Sequence, residues 1–213
     1  MRCPTGGFYG ILDADYVSER DWNAKGRALL EGGASLLQIR AKRRPTTAVL
    51  ALAQSILPLA QTHGVPLIIN DHLEVALQLP DAGLHVGQED LCPESARRQL
   101  GPDRLLGLST HSSEQVQQAL QQAHLLSYFA VGPIFPTGTK PDYVPVGLNL
   151  LRHTVALSPP IPVFAIGGIT RLTLGHVLET GVRGVVAVSD PLLDPHTAKA
   201  TAQFVKRINR SYA

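Results

Sequence analysis

This α/β sequence predicts a closed (β/α)8 (TIM) barrel, a single domain over residues 1–213. Three observations predict it. Eight short apolar runs, β-branched or Leu-rich and without strict alternation, recur along the chain, as parallel strands covered on both faces do. Amphipathic helical stretches stand between them, and this alternation means a parallel sheet. No composition break or linker interrupts it, and eight units in 213 residues fit a closed barrel, whose lower size limit is roughly 200 residues. The competing fold, an open doubly wound sheet, needs a glycine-rich turn after its first strand, and "LDADYVSE" offers no such glycines.

The strand candidates, in order, are "FYGIL" near 8, "LLQI" near 36, "LIIN" near 67 and "GLHV" near 83. "LLGLS" near 105, "YFAVG" near 128, "PVFAIG" near 162 and "GVVAVS" near 184 follow. The helical stretches include "WNAKGRALLEGG", "TTAVLALAQSILPLAQTHG", "SSEQVQQALQQAH", "LTLGHVLETG" and "HTAKATAQFVKRINR". Gly64 and Gly181 stand where a helix C-terminus favours a left-handed residue. In "DPH" the reading places Asp194 at an N-cap and Pro195 at the first helical position.

Composition excludes several classes. A formal net charge of +2, with five Phe and one Trp, argues against a nucleic-acid partner and a base-stacking surface. No apolar run approaches the ~20 residues of a membrane span, and the N-terminal stretch lacks a signal-peptide core. Two cysteines, Cys3 and Cys92, make neither a disulfide framework nor zinc spacing. The expectation is a cytoplasmic protein acting on small molecules, with no nucleic-acid or membrane partner. A homo-oligomer is compatible with the sequence, which does not fix the oligomeric state.

A barrel carries its chemistry at the C-terminal ends of its strands. At the second, "QIRAK" puts Gln38, Arg40 and Lys42 on one face of an extended chain, and an Arg fork with a Lys point charge suits a diphosphate. Arg43 and Arg44 read as a solvated basic turn. The third and fourth strands end at Asn70-Asp71 and in "GQED" at Asp90. Two carboxylates on neighbouring strand ends can hold magnesium, which needs one or two carboxylates plus water and phosphate oxygens. Each aspartate also precedes a helical stretch that it could cap. Ser109, in "LSTH", is open between a substrate contact and a helix cap, and His111 reads as a surface loop histidine.

After the sixth strand, "GPIFPTGTK" resembles a nucleotide-triphosphate loop with its order changed. Prolines in "KPDYVPVG" keep a helix from starting at Lys140, so that reading fails. The segment instead offers hydroxyls, backbone N–H groups and one cation to an anion. Strands seven and eight end in "AIGGI" and "AVSD". There Gly167, Gly168, Val188 and Ser189 look like a phosphate cradle, from close backbone approach and a following helix N-terminus.

The ordered set "QIRAK", "INDH", "GLHVGQED", "LSTH", "VGPIFPTGTK", "AIGGI" and "AVS" resembles the thiamine-phosphate synthase family from about residue 35 to 190. The resemblance implies an enzyme that joins a hydroxymethylpyrimidine diphosphate to a thiazole phosphate, with Mg²⁺, giving thiamine phosphate and pyrophosphate. It implies that Gln38, Arg40, Lys42, Asn70, Ser109 and Lys140 hold the pyrimidine diphosphate, and that Asp71 and Asp90 bind magnesium. Thr137, Thr139, the glycine pair (Gly168 ahead of Gly167), Val188 and Ser189 would contact the thiazole phosphate. Arg40, Lys42, Lys140 and Ser109 would be the catalytic groups. The implied mechanism is a dissociative substitution: charge on the departing pyrophosphate is neutralised, and the loop after the sixth strand closes over the substrate.

Three departures accompany the resemblance. His72 stands where the family commonly has arginine, and "KRRP" replaces an acidic turn. Asp190 puts a carboxylate beside the phosphate site, where it repels phosphate unless it turns to solvent. Rival readings are a thiazole tautomerase-like barrel and a non-catalytic phosphate-ligand binder. Both would need less than the full set of cations and aspartates.

Overall fold

The computed structural model describes residues 2–139 and 143–212. Eight parallel strands form a closed barrel in sequence order. They are β1 (Gly7–Asp13), β2 (Leu36–Arg40), β3 (Leu67–Asn70), β4 (Ala82–Val86), β5 (Leu106–Thr110), β6 (Tyr128–Val131), β7 (Val163–Ala165) and β8 (Gly184–Ala187). All eight apolar runs of the sequence become strands. Closure comes from β1 pairing with β8, Gly7 opposite Gly184 and Gly10 opposite Ala187.

The helices that cover the sheet are α1 (Trp22–Glu31), α2 (Thr46–Thr62), α3 (Leu73–Gln78), α4 (Pro93–Leu100) and α5 (Ser113–Gln121). They continue with α6 (Gly147–Ala156), α7 (Leu174–Leu178), α8 (Ser189–Leu193) and α9 (Thr197–Arg210). Gly64 and Gly181 take positive φ just beyond α2 and α7, as read from the sequence. The expected start at "DPH" is displaced. α9 begins at Thr197, and Asp194 ends α8 while its Oδ1 accepts from the His196 backbone N–H at 2.8 Å. Asp194 therefore caps the turn between two helices, a short-range use of Asp that competes with N-capping.

Successive strand residues face opposite sides, and the core divides accordingly. Tyr9, Ile11, Leu36, Ile68, Tyr128, Ala130, Phe164 and Val186 fill the barrel interior. Phe8, Leu12, Leu37, Ile39 and Val185 belong to the larger layer beneath the helices. α9 is anchored to that layer by Phe204, fully buried, whose ring lies 5.1 Å from that of Phe8. Truncating it with Phe204→Ala removes this contact and leaves a cavity in a dense interior, so urea unfolding should report a loss of about 3–5 kcal/mol. A loss below about 1 kcal/mol would mean that α9 is held by other contacts.

Candidate active site

The eight C-terminal strand ends open into one cavity, which together with the open solvent at its mouth spans about 850 Å³. Gln38, Arg40, Asn70, Ser109, Thr137, Thr139, Gly167, Gly168, Val188 and Ser189 all line it. Ten residues singled out on six separate strand ends or loops thus face a common space. Lys42, Asp71 and Asp90 are not among the lining residues and form an adjoining group. Lys140 lies outside the described residues.

β2 ends at Arg40, so Gln38 and Arg40 share the inward face as expected, while Lys42 already lies beyond the strand. Arg40 reaches the cavity engaged rather than waiting. Its Nη1 is 2.6 Å from Asp13 Oδ2 and 3.8 Å from Asp15 Oδ2, and Arg43 Nε lies 3.2 Å from Asp15 Oδ1. The Arg43 turn, read as merely solvated, closes this ion chain. Asp13 is fully buried. Burial raises its carboxyl above the usual range, against the pull of Arg40 and the Asp15 backbone N–H. Asp13 went unmarked in the sequence, because nothing in "LDAD" shows that it meets Arg40.

Lys42 Nζ lies 2.9 Å from Asp71 Oδ2. Asp71 itself stands at a left-handed φ of 65° directly after β3, a conformation that Asp tolerates better than most residues. Burial raises the Asp71 carboxyl, Lys42 opposes, and a hydrogen bond with Asp90 raises it further. Burial would lower Lys42, but its partnership with Asp71 and the charge of Asp90 leave it raised. Neither aspartate caps a helix. α3 follows His72 and α4 follows Cys92, and Asp90 Oδ2 accepts from the Gly87 backbone N–H at 2.7 Å. Two crowded carboxylates, all oxygen donors, fit a hard divalent cation that keeps water and phosphate in its other positions. Among the described residues no group of three or more His, Cys, Asp or Glu is placed to hold a metal.

Ser109 does not cap α5, because Ser112 does, accepting from the Gln115 backbone N–H. Ser109 instead meets His85, Nε2 to Oγ 2.9 Å, and its carbonyl accepts from Gln88 Nε2 at 2.6 Å. Asn70 is buried, and its Nδ2 has no hydrogen-bond partner among the described residues. A buried donor left unmade is costly, and this one borders the cavity.

The β6 loop docks onto β7 through the backbone. Ile134 and Phe135 N–H groups donate to the Ile166 and Gly167 carbonyls at 2.9 and 3.0 Å. Gly167 and Gly168 have φ of 101° and 64°, and a Cβ on either would strike Pro133 or the Phe135–Pro136 backbone. The glycine pair thus admits the loop as well as bordering the cavity. Across the mouth, Tyr16 OH lies 3.1 Å from Thr139 Oγ1, and the Thr139 N–H donates to Thr137 Oγ1.

Two further expectations change. His111 is not a surface loop histidine. It lines the cavity, its Nδ1 lies 2.5 Å from the Gly132 carbonyl oxygen, and its ring packs at 4.6 Å against Tyr143. Asp190 turns neither to phosphate nor to solvent. Its Oδ1 is 2.7 Å from Arg171 Nε, its Oδ2 accepts from the Arg171 N–H, and Arg171 also pairs with Asp194 at 2.9 Å. His72, another of the three departures, faces Glu74 at 3.2 Å.

A parallel eight-stranded barrel whose polar cavity opens at the carboxyl ends of the strands, with cations and a carboxylate pair at its rim, is the build of a (β/α)8 enzyme handling phosphorylated small molecules. A family profile described as thiamine monophosphate synthase matches residues 8–190. A thiamine-phosphate synthase of Roseiflexus castenholzii is 40% identical over 194 residues, 91% of this chain and 84% of that protein. One of Shouchella clausii is 36% identical over 196 residues, 92% of each. The solved structure of a thiamine phosphate pyrophosphorylase from Pyrococcus furiosus superposes with a TM-score of 0.87 at 30% identity, covering 98% of both chains. The chain belongs to the thiamine monophosphate synthase family.

The Asp71 environment sets a pH test. An acid whose pKa is higher folded than unfolded binds its proton more tightly in the fold, so its contribution to stability falls as pH rises from 3.8 through the folded value. Carbon-13 titration of the side-chain carboxyl should place Asp71 above 3.8. Asp90→Asn should lower that midpoint and Lys42→Met should raise it. A midpoint unmoved by either change would contradict the arrangement.

Proposed function

We propose that this chain condenses 4-amino-2-methyl-5-(diphosphooxymethyl)pyrimidine with thiazole phosphate, releasing pyrophosphate and forming thiamine phosphate. The observation that carries the reading is the single cavity. It gathers Gln38, Arg40, Asn70 and Ser109 with Thr137, Thr139, Gly168, Val188 and Ser189, so two phosphorylated substrates could meet there. Family membership and relatives named thiamine-phosphate synthase support the same activity.

In this reading Gln38, Asn70 and Ser109 hold the pyrimidine end. Arg40, Lys42 and Lys140 face the diphosphate, the last on sequence grounds. Mg²⁺, held by Asp71 and Asp90, supplies neutralising charge to the leaving group when bound. The buried Asn70 Nδ2 gains the acceptor it lacks in the protein alone. Asp13 and Asp15 keep the Arg40 guanidinium fixed, which limits reorganisation as charge develops. Lys42 loses little by leaving Asp71, because its new partners carry more negative charge. The thiazole phosphate sits toward Val188, Ser189 and the β6 loop, where Arg171 draws the Asp190 charge aside.

Departure of pyrophosphate leaves a methylene cation that the electron-rich aminopyrimidine supports, and the thiazole nitrogen attacks it. The carbon–oxygen bond breaks before the carbon–nitrogen bond forms, and no general base is required. The protein contributes position and charge stabilisation.

Steady-state assays with both substrates and Mg²⁺, following thiamine phosphate and pyrophosphate, test this reading. Asp71→Asn, which keeps a residue that tolerates the left-handed φ of 65°, and Lys140→Ala should each lower kcat by about a hundredfold or more while the thermal midpoint stays close to wild type. Near-normal kcat in either would remove that residue from its role, and no product from the wild type would sink the reading. Arg171→Ala should release Asp190 toward the phosphate and raise the KM for thiazole phosphate about fivefold, with the pyrimidine KM unchanged.

A further inference from the structure

Beneath the cavity, five side chains on five strands form one unbroken hydrogen-bonded row. Gln38 Nε2 on β2 donates to Tyr9 OH on β1 at 2.7 Å. Tyr9 OH and Tyr128 OH, on β1 and β6, are 2.8 Å apart. Tyr128 OH meets His85 Nδ1 on β4 at 3.1 Å, and His85 Nε2 meets Ser109 Oγ on β5 at 2.9 Å. All five are buried, with Tyr9 and Tyr128 essentially without exposure.

Proton counting gives the row a direction. Tyr9 accepts from the Gln38 amide, so its single proton goes to Tyr128. Tyr128 accepts that bond, so its own proton goes to His85 Nδ1. An imidazole that accepts at Nδ1 carries its proton on Nε2 and donates to Ser109 Oγ. The Ser109 hydroxyl proton is then free to point into the cavity, and the Gln38 Oε1 remains there as an acceptor. Turning the Gln38 amide over would reverse every proton in the row, so the two ends are set together.

We propose that Tyr9, Tyr128 and His85 are positioning residues that couple the hydrogen-bond polarity of the two ends of the pocket floor, so that the acceptor at Gln38 goes with a donor at Ser109. That pairing selects a heterocycle with an exocyclic N–H donor and a ring-nitrogen acceptor, and it rejects one with the two reversed. The inference about selectivity rests on the aminopyrimidine reading above, whereas the inference about proton order does not.

The surroundings hold the row together. Burial raises both phenols above their ordinary range, so each keeps its proton at neutral pH. Phe164 packs edge-on against both tyrosine rings at 5.4 Å, and the Tyr128 and His85 rings stack at 5.6 Å. Gly107 on β5 leaves room for the junction, since a Cβ there would strike the Tyr128 ring and His85 Nδ1. Gln88 holds the Ser109 carbonyl from outside the row. A polar network buried this completely is favourable only when every member is satisfied.

Two measurements on the full-length protein test the proposal. Nitrogen-15 NMR of histidine-labelled enzyme, with the His85 signals assigned by their loss in His85→Gln, should find Nε2 protonated and Nδ1 bare. A proton on Nδ1, or on both nitrogens, would overturn the proposed order whether or not the enzyme turns over. The second measurement compares kcat/KM for the aminopyrimidine diphosphate and its 4-oxo counterpart, whose donor and acceptor are exchanged. Tyr128→Phe should shrink the wild-type preference by roughly tenfold or more, because the row is cut and Ser109 can then turn either way. A merely structural role would lower both rates together and leave their ratio unchanged, which would overturn the selectivity. If Tyr128→Phe does not fold, Tyr9→Phe cuts the same row and is read in the same way. A wild type inactive with either pyrimidine would count against the condensation reading, and the imidazole protons would still decide the row.

Discussion

Hydrogen bonding between β1 and β8 closes the sheet, from Gly7 opposite Gly184 to Gly10 opposite Ala187, and the placement of every functional group follows from that closure. Parallel strands point their carboxyl ends one way, and a closed ring brings all of them around one mouth. Gln38, Asn70, Ser109 and Ser189 are far apart in the chain yet border the same cavity. An open sheet would spread them along an edge. The interior cannot be a pore, because Tyr9, Tyr128, Phe164 and their neighbours fill it and so become the floor of the pocket.

The floor and the rim solve different physical problems. At the rim, charges are paired, with the cations more open to solvent than their carboxylates. Lys42 pairs with Asp71, and Arg171 with Asp190 and Asp194, and the exposed cation ends can turn to an incoming anion. Arg40 is the exception, because the fully buried Asp13 holds it, and removing one partner of such a pair leaves a buried charge uncompensated. On the floor, neutral groups are joined in a satisfied row that carries no net charge. Mobile charge at the rim suits a substrate that arrives and leaves as polyphosphate. A neutral, ordered floor suits reading the edge of a ring.

Much of this was legible in the sequence because strand ends announce themselves. "QIRAK", "INDH", "GQED" and "AIGGI" break apolar runs with polar or glycine residues, and the structure puts Gln38, Arg40, Asn70, Gly167 and Gly168 at the mouth, with Lys42, Asp71 and Asp90 in a group beside it. The tyrosine row was not legible. Tyr9 and Tyr128 sit inside the runs "FYGIL" and "YFAV", where an aromatic reads as core, and 119 residues separate the two hydroxyls that meet. His85 was hidden likewise in "GLHV". Asp13 was not singled out because its partner is set by strand register, Asp13 lying opposite Arg40. His111 and Asp194 were misjudged because their partners, the Gly132 carbonyl and the His196 N–H, depend on backbone paths that spacing does not specify.

The proposed function requires one mouth to hold pyrophosphate, metal and pyrimidine together. Its most direct test is a crystal structure with thiamine phosphate, pyrophosphate and Mn²⁺ in place of Mg²⁺, using anomalous scattering to find the metal. An anomalous peak bound by the Asp71 and Asp90 carboxylates is expected, with pyrophosphate beside it and the aminopyrimidine ring between Gln38 and Ser109. A metal peak away from both aspartates, or a product bound elsewhere than between β2 and β5, would contradict it.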